Sequence, residues 1–250
     1  MTLLSNKVAL ITGSSRGIGA ATAKIFAENG AAVVVNYVAH SNAADAVVAD
    51  ITNSGGKAIA IQADVADPAQ VKTMVSRATS ELGNIDILVL NASITFPVVP
   101  FVDFKWEDFE YKLTRELKAA FFCCKEVVPG MIERNKGNII AVSSGLSRQP
   151  GPGFIAHCTA KSGLDSFAKS LALELGPNGI RVNVIAPGLT VTDATAFTPE
   201  EMKQMIAANT PLRRLAQPED VAGGILMLAS DHSEFISGTY TPVSGGSQME

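Results

Sequence analysis

The sequence is poor in positive charge and in long apolar runs, and each shortage excludes a class of partner. Only 18% of its 250 residues are charged and the formal net charge is -4, so no positive field gathers phosphate backbones or anionic lipids. We therefore expect neither nucleic acid nor a membrane surface as a partner. No run of about 18 apolar residues suggests a membrane span. An apolar segment, KVALIT, begins at residue 7 and leaves no room for a signal peptide.

Cysteine is also scarce, and its arrangement argues against metal binding. Cys123, Cys124 and Cys158 are an odd number without metal-ligand spacing, and the first two lie in the apolar run AAFFCCKEVV. We predict reduced, buried thiols, no metal site and a cytoplasmic location.

Short apolar runs are abundant, and they alternate with longer helical segments. Strands that are apolar throughout belong in a parallel sheet covered on both faces, so this α/β alternation predicts a doubly wound parallel sheet of about seven strands. With 47% hydrophobic residues, we favour one large domain over two small ones. The predicted strands lie at 7–12, 31–37, 57–62, 86–91, 137–144, 180–187 and 239–243, and the predicted helices lie near 17–29, 42–54, 68–82, 106–130, 157–176 and 218–229.

Three irregular stretches follow the carboxyl ends of predicted strands, where ligands bind in such sheets: residues 93–105, 145–156 and 188–212. The first begins with the apolar, proline-stiffened loop SITFPVVPF, and Leu146 and Phe154 flank the other side of the predicted site. Small-molecule pockets are mostly apolar. The loop therefore predicts a hydrophobic or acyl-chain substrate, with a subunit contact as the alternative.

A glycine-rich turn, TGSSRGIG at residues 12–19, joins the first predicted strand to the first predicted helix. Small residues let the backbone approach a pyrophosphate, and the helix N-terminus supplies free N–H groups and the positive end of a dipole. A glycine-rich turn alone is weak evidence for dinucleotide binding. Here, however, the turn lies at the start of a βαβ unit, as dinucleotide binding requires. The candidate cofactor-binding residues of this turn are Gly13, Ser15, Arg16, Gly17, Ile18 and Gly19.

The second strand ends without the acid that an NAD-preferring site places on the ribose 2′-hydroxyl. Arg16, with Asn36, Tyr37 and Ser41 near the strand end, is suited instead to a 2′-phosphate, which favours NADP(H). The alternative for Arg16 is a solvated loop cation. After the third strand, Asp64-Val65 is a candidate contact for the adenine edge, with Asp64 as a turn or capping acid the alternative.

These features, with RVNVIAPG at 181–188, PLRRLAQPEDVAGGILMLASD at 211–231 and SGTYTPVSGG at 237–246, resemble the short-chain dehydrogenase/reductase family over nearly the whole chain. The resemblance is closest to the 3-oxoacyl-acyl-carrier-protein reductase type. It implies a single Rossmann-like domain over residues 1–250, usually a homotetramer, with a substrate lid at about 188–212. It also places further cofactor contacts at Asn91, Ala92, Lys161, Pro187, Gly188, Thr190 and Thr192.

The same resemblance implies a catalytic tetrad of Asn, Ser, Tyr and Lys, and two of its four members are changed here. Ser144 and Lys161 match, whereas His157 stands at the tyrosine position and Glu116 at the asparagine position. Each has a structural alternative. Ser144 would cap a turn, His157 would fill a helix, and Glu116 would be a solvated charge beside Lys112 or Lys118.

The histidine alters the expected proton chemistry. A neutral imidazole N–H is too weak an acid to protonate a carbonyl oxygen, so a proton-donating His157 must be imidazolium. The Lys161 ammonium lowers the pKa of that imidazole, and a carboxylate at Glu116 is expected to offset the effect.

Three functions remain open from the sequence. The first is an NADP(H)-dependent reductase or dehydrogenase with an altered proton donor, because Ser144, Lys161 and the nucleotide-binding end are retained. The second is non-redox acid–base chemistry such as isomerisation, dehydration or cyclisation. The third is a catalytically silent NADP(H)-binding protein.

Overall fold

One parallel sheet of seven strands organises the computed structural model, which describes residues 2–248. The strands are β1 (Val8–Ile11), β2 (Ala32–Tyr37), β3 (Lys57–Gln62), β4 (Ile87–Leu90), β5 (Gly137–Val142), β6 (Ile180–Pro187) and β7 (Tyr240–Val243). Their spatial order is β3-β2-β1-β4-β5-β6-β7, and every neighbouring pair is parallel. The predicted doubly wound α/β fold is confirmed.

Seven α-helices connect the strands. They are α1 (Gly17–Glu28), α2 (Ser41–Asn53), α3 (Pro68–Leu82), α4 (Trp106–Glu133), α5 (Ile155–Leu175), α6 (Glu200–Asn209) and α7 (Pro218–Ala229) within the described part of the chain. The largest differences from the predicted helices are that α4 continues past residue 130 to Glu133 and that α5 begins at Ile155 instead of 157. The two additional residues of α5 place His157 inside the first turn of the helix.

Both faces of the sheet are covered. Successive residues of each strand point to opposite faces, so one strand contributes side chains to a core on each side. In β5, Ile139 joins a core with Cys123 of α4 and Leu164 of α5, whereas Ile140 joins a second core with Phe26 of α1. All six residues of β5 are buried. This double burial explains why the central strands are largely apolar.

The strand order reverses beside β1, because β2 lies on one side of it and β4 on the other. Chain connections leave that point in opposite directions, which opens a crevice at the carboxyl ends of β1 and β4. Among residues 2–248 we find no helix with the length and apolarity needed to cross a membrane.

The cysteines are free thiols, and two of the three are buried. Burial raises the pKa of the Cys123 thiol to about 12, so that thiol stays protonated and unreactive. The prediction of buried thiols is wrong for Cys158, which is partly exposed.

Candidate active site

The turn between β1 and α1 uses glycine where a larger residue would not fit. Gly13 and Gly17 have φ angles of +61° and +57°, the left-handed region that favours glycine. A Cβ on Gly19 would lie 2.6 Å from Nδ2 of Asn91 and 2.7 Å from the carbonyl oxygen of Gly13. The start of α1 therefore lies against the ends of β1 and β4 only because residue 19 has no side chain.

The first turn of α1 keeps its N–H groups available to a ligand. Within residues 2–248, no side chain caps the helix at Arg16, and the first turn holds no acidic residue. Unpaired N–H groups and the positive end of the helix dipole attract phosphate. Together with the small residues of the turn, which include the half-buried Ser15 and Ile18, this arrangement fits the pyrophosphate of a dinucleotide.

The side chain of Asn36 holds the glycine turn in place through hydrogen bonds. The backbone N–H of Gly13 donates to its Oδ1 at 3.0 Å, and its Nδ2 donates to the carbonyl oxygen of Ala63 at 3.0 Å. The side chain is 1% exposed. The prediction that Asn36 meets a 2′-phosphate is therefore corrected, because its amide ties the turn to β2 and to the end of β3.

Arg16, Tyr37 and Ser41 place accessible side chains at the same end of the sheet. The guanidinium Nη1 of Arg16 lies 3.8 Å from Oδ2 of Asp193, and both side chains are more than half exposed. An ion pair of this length in solvent is weak. A bound phosphate can displace it, so Arg16 fits the predicted contact to a 2′-phosphate.

Asp64 is engaged within the protein. Its Oδ1 accepts a hydrogen bond from the N–H of Ala66 at 2.9 Å, and its Oδ2 accepts one from Nη2 of Arg115 at 2.5 Å. Val65 beside it is buried. The Asp64 carboxylate therefore serves a turn and an ion pair, and a contact to adenine would have to share its oxygens with Ala66 and Arg115.

The end of β4 is tied to the glycine turn. Nδ2 of Asn91 donates to the carbonyl oxygens of Thr12 and Gly13 at 2.9 and 3.0 Å, and the N–H of Ala92 donates to Oγ1 of Thr12 at 2.9 Å. A Cβ on Gly13 would lie 3.0 Å from Cα of Ala92. These contacts bring the predicted Asn91-Ala92 pair to the floor of the crevice.

The segment after β6 reaches the same crevice. Pro187 ends β6, and Oγ1 of the buried Thr190 donates to the carbonyl oxygen of Gly188 at 3.1 Å. A Cβ on Gly17 would lie 3.4 Å from Cγ2 of Thr192. Thr192, which follows β6, and Gly17, which follows β1, are therefore neighbours although they are far apart in sequence.

Helices α4 and α5 bury two lysines and one carboxylate in contact. Oε2 of Glu116 lies 2.6 Å from Nζ of Lys112, and Oε1 lies 2.6 Å from Nζ of Lys161. No side chain of the three is more than 4% exposed. Burial alone would raise the pKa of Glu116, but the two ammonium groups lower it to about 2. Glu116 is therefore a carboxylate shared by two lysines.

Both lysines make further hydrogen bonds. Nζ of Lys112 donates to Oγ of Ser93 at 3.0 Å and to the carbonyl oxygen of Ile94 at 2.8 Å. Nζ of Lys161 donates to the carbonyl oxygen of Val142, the last residue of β5, at 2.8 Å. Burial lowers the pKa of Lys112 to about 8, and the Glu116 carboxylate limits that fall.

His157 is a neutral imidazole in this setting. Its ring stacks on Phe96, with centroids 4.8 Å apart and planes 18° apart. Burial lowers the pKa of His157 to about 3, the charges of Lys161 and Lys112 act in the same direction, and Glu116 opposes them with the smallest effect. The expectation that Glu116 holds His157 as imidazolium is therefore wrong, because the two lysines already engage its carboxylate.

His157 also carries an unused polar atom. Its Nδ1 is buried and has no hydrogen-bond partner within residues 2–248. Ser144 follows β5, is half-buried, and accepts a hydrogen bond at Oγ from the N–H of Leu146 at 3.2 Å. A hydroxyl that accepts one hydrogen bond can still donate its own proton. Ser144 thus adds a second neutral donor beside the end of β5.

Lys112 was assigned no site role from the sequence, and Ser93 and Phe96 entered only as members of the apolar loop 93–101. The spacing of four between Lys112 and Glu116 indicates an ion pair on one helical face, but it gives no sign that the pair is buried. The described residues include no group of three or more His, Cys, Asp or Glu side chains arranged to hold a metal ion.

Comparisons with known proteins agree with this architecture. A family model described as Enoyl-(Acyl carrier protein) reductase matches residues 13–248. The 3-oxoacyl-[acyl-carrier-protein] reductase of Synechocystis is 41% identical over 251 residues, covering 100% of both chains. The protein of that name from Staphylococcus aureus is 38% identical over 245 residues, covering 97% of this chain and 98% of its own.

Solved structures give the same result. A mutant short-chain dehydrogenase/reductase from Serratia marcescens superposes with a TM-score of 0.91 at 33% identity, covering 99% of this chain and 100% of its own. Full-length similarity, the strand order and the glycine turn coincide, and therefore the chain belongs to the short-chain dehydrogenase/reductase family.

Proposed function

We propose that this protein is an NADP(H)-dependent reductase of hydrophobic ketones, with 3-oxoacyl compounds as the leading substrate class. One observation carries the proposal: the glycine turn that fits a pyrophosphate follows β1, and Ser144 follows β5, which only β4 separates from β1 in the sheet, while His157 and Lys161 lie in the first two turns of α5. The relatives named as 3-oxoacyl-[acyl-carrier-protein] reductases support the choice of substrate class.

The cofactor assignment follows from the fit of the crevice. The glycine turn and the start of α1 would hold the pyrophosphate, and Arg16 with Tyr37 and Ser41 would meet the 2′-phosphate. The Asn91-Ala92 pair and the Pro187–Thr192 segment would line the nicotinamide end. When bound, the nicotinamide supplies the hydride that reduces the carbonyl carbon.

The chain's own residues would stabilise the negative charge that appears on the carbonyl oxygen. With its pKa near 3, His157 polarises that oxygen as a neutral N–H donor, a role open to neutral imidazole in enzymes. Ser144 adds a hydroxyl donor. Nζ of Lys161 donates one N–H to Val142 and lies 2.6 Å from Oε1 of Glu116, and its ammonium group supplies positive charge and the final proton.

The substrate would lie against an apolar wall. Phe96 and Phe154 meet edge to face with ring centroids 6.0 Å apart, and Phe96 also stacks on His157. An aromatic wall beside few polar donors is typical of pockets for apolar ligands. We assign residues 188–212, which include α6, as the lid of the single domain 1–250.

We further infer a cytoplasmic homotetramer. Large apolar side chains stay exposed on α4 and α7, among them Trp106 at 65%, Phe121 at 51% and Met227 at 53%. Large apolar side chains exposed on helices of both faces of the sheet are suited to contacts between subunits.

The test is the oxidation of NADPH by the purified protein with 3-oxoacyl thioesters and simple hydrophobic ketones. We expect turnover that falls in Ser144→Ala and Lys161→Met and is unchanged in Lys118→Met, an exposed lysine of α4. A wild type that binds NADPH but is silent, while His157→Tyr gains activity, would refute the proposal and direct the search to non-redox chemistry or binding.

A further inference from the structure

Lys112 is a buried lysine that the proposed reduction does not use directly. Its side chain is 0% exposed, and its three N–H groups are satisfied by Oγ of Ser93, the carbonyl oxygen of Ile94 and Oε2 of Glu116. No N–H is left for a substrate. Burial of an ammonium group is costly unless a partner offsets it. Any effect of Lys112 on the reaction must therefore pass through a partner, and Glu116 is its charged partner.

The charges around Lys112 do not cancel. Helix α4 contributes Lys112 and Glu116, and α5 contributes Lys161 and the neutral His157. Asp165, one turn beyond Lys161, is a further acidic group there; burial raises its pKa, and the charges of Arg148 and Lys161 both act against that rise. Among Lys112, Glu116 and Lys161, two ammonium groups share one carboxylate, so these three side chains keep one net positive charge.

We infer that Lys112 is a positioning residue: it neutralises the Glu116 carboxylate so that Lys161 retains an uncompensated positive charge toward the reacting carbonyl. The inference rests on the proposed function. Without Lys112, Glu116 and Lys161 would form a neutral pair, and the carboxylate would oppose the negative charge developing on the substrate oxygen. The 2.6 Å contacts on both carboxylate oxygens divide Glu116 between the two lysines.

A second contact extends the effect to the histidine. Nζ of Lys112 lies 5.0 Å from the centroid of the Phe96 ring, and that ring stacks on His157. A cation at this distance is attracted to an aromatic ring. Lys112 thus affects both the charge balance at Lys161 and the Phe96 ring that stacks on His157.

The first experiment measures ketone reduction in Lys112→Met, in Lys112→Met/Glu116→Asn and in the control Lys118→Met. We expect Lys112→Met to lower kcat by about 100-fold with little change in KM, and the double variant to recover at least about tenfold of that loss. Activity of Lys112→Met within about twofold of wild type, or a double variant no better than the single one, would overturn the inference. If Lys112→Met does not fold, the double variant alone decides, since the inference requires it to stay within about tenfold of wild type.

The second experiment uses NMR titration of the His157 imidazole and needs no turnover. Removal of a nearby cation should raise the pKa of His157 in Lys112→Met by at least about one unit, whereas Lys118→Met should leave it unchanged. An unshifted His157 overturns the role of Lys112 even in an active reductase. A shifted His157 in a protein inert toward ketones rejects the proposed function alone.

Discussion

The partly buried, neutral His157 should make the folded protein sensitive to mild acid. Its pKa is about 3 in the folded state, against 6.5 for a free imidazole, so between these two pH values the unfolded chain binds a proton that the folded chain does not. The stabilisation is complete above pH 6.5 and is lost as the pH falls toward 3. Linkage gives a loss of about 2 kcal/mol in the free energy of unfolding between pH 7 and about pH 5. Glu116 contributes little there, because the unfolded carboxylate remains mostly ionised at that pH.

Urea unfolding at the two pH values measures this difference. We expect His157→Phe, which keeps an aromatic ring against Phe96, to reduce the difference by about 2 kcal/mol. His40→Asn and His232→Asn replace the chain's two exposed histidines and should leave it unchanged. A wild type equally stable at both pH values, or a His157→Phe protein that keeps the full difference, would refute a neutral His157 in the folded state.

Three further results are expected. Gly19→Ala should weaken NADPH binding at least about tenfold in a fluorescence titration, because its Cβ would lie 2.6 Å from Nδ2 of Asn91; Gly223→Ala, with no neighbour within 4 Å, is the matched control. Arg16→Ala should lower the preference for NADPH over NADH about tenfold in kcat/KM, and an unchanged ratio would remove Arg16 from the 2′-phosphate site. As the pH rises through about 8, kcat should fall as Lys112 loses its proton, and a profile that keeps this fall in Lys112→Met would contradict the assignment.

The fold was readable because the central strands β1, β4 and β5 are buried along their whole length and are almost entirely apolar. The glycine turn was readable for a similar reason, since Gly13, Gly17 and Gly19 stand where backbone conformation or contact distance excludes a side chain. Local sequence carries this information directly. The membership of the family followed from the same residues.

The orientation of side chains was harder to predict from the sequence. Asn36 lies in a strand whose two faces are both covered, and its inward amide was predicted to face a ligand. A polar residue within a strand buried on both sides is more consistent with an internal hydrogen-bonding role. The strand pattern therefore indicates that Asn36 hydrogen-bonds inside the protein, although the sequence does not show which groups it contacts.

The charge cluster was the least predictable feature. The spacing between Lys112 and Glu116 is the same for a solvated pair and a buried one, and the contact with Lys161 depends on how α4 packs against α5. That packing reversed the expected chemistry of His157. An imidazolium acid was predicted, whereas the structure has a neutral imidazole beside two lysines.

The most direct test of this account is the pH dependence of kcat for ketone reduction with saturating NADPH, between about pH 5.5 and 7.5, where free imidazole titrates. A neutral His157 predicts a rate that changes less than about twofold across this range. A rate that falls as the pH rises through about 6.5, and that loses this dependence in His157→Phe, would make His157 the imidazolium acid and contradict the account.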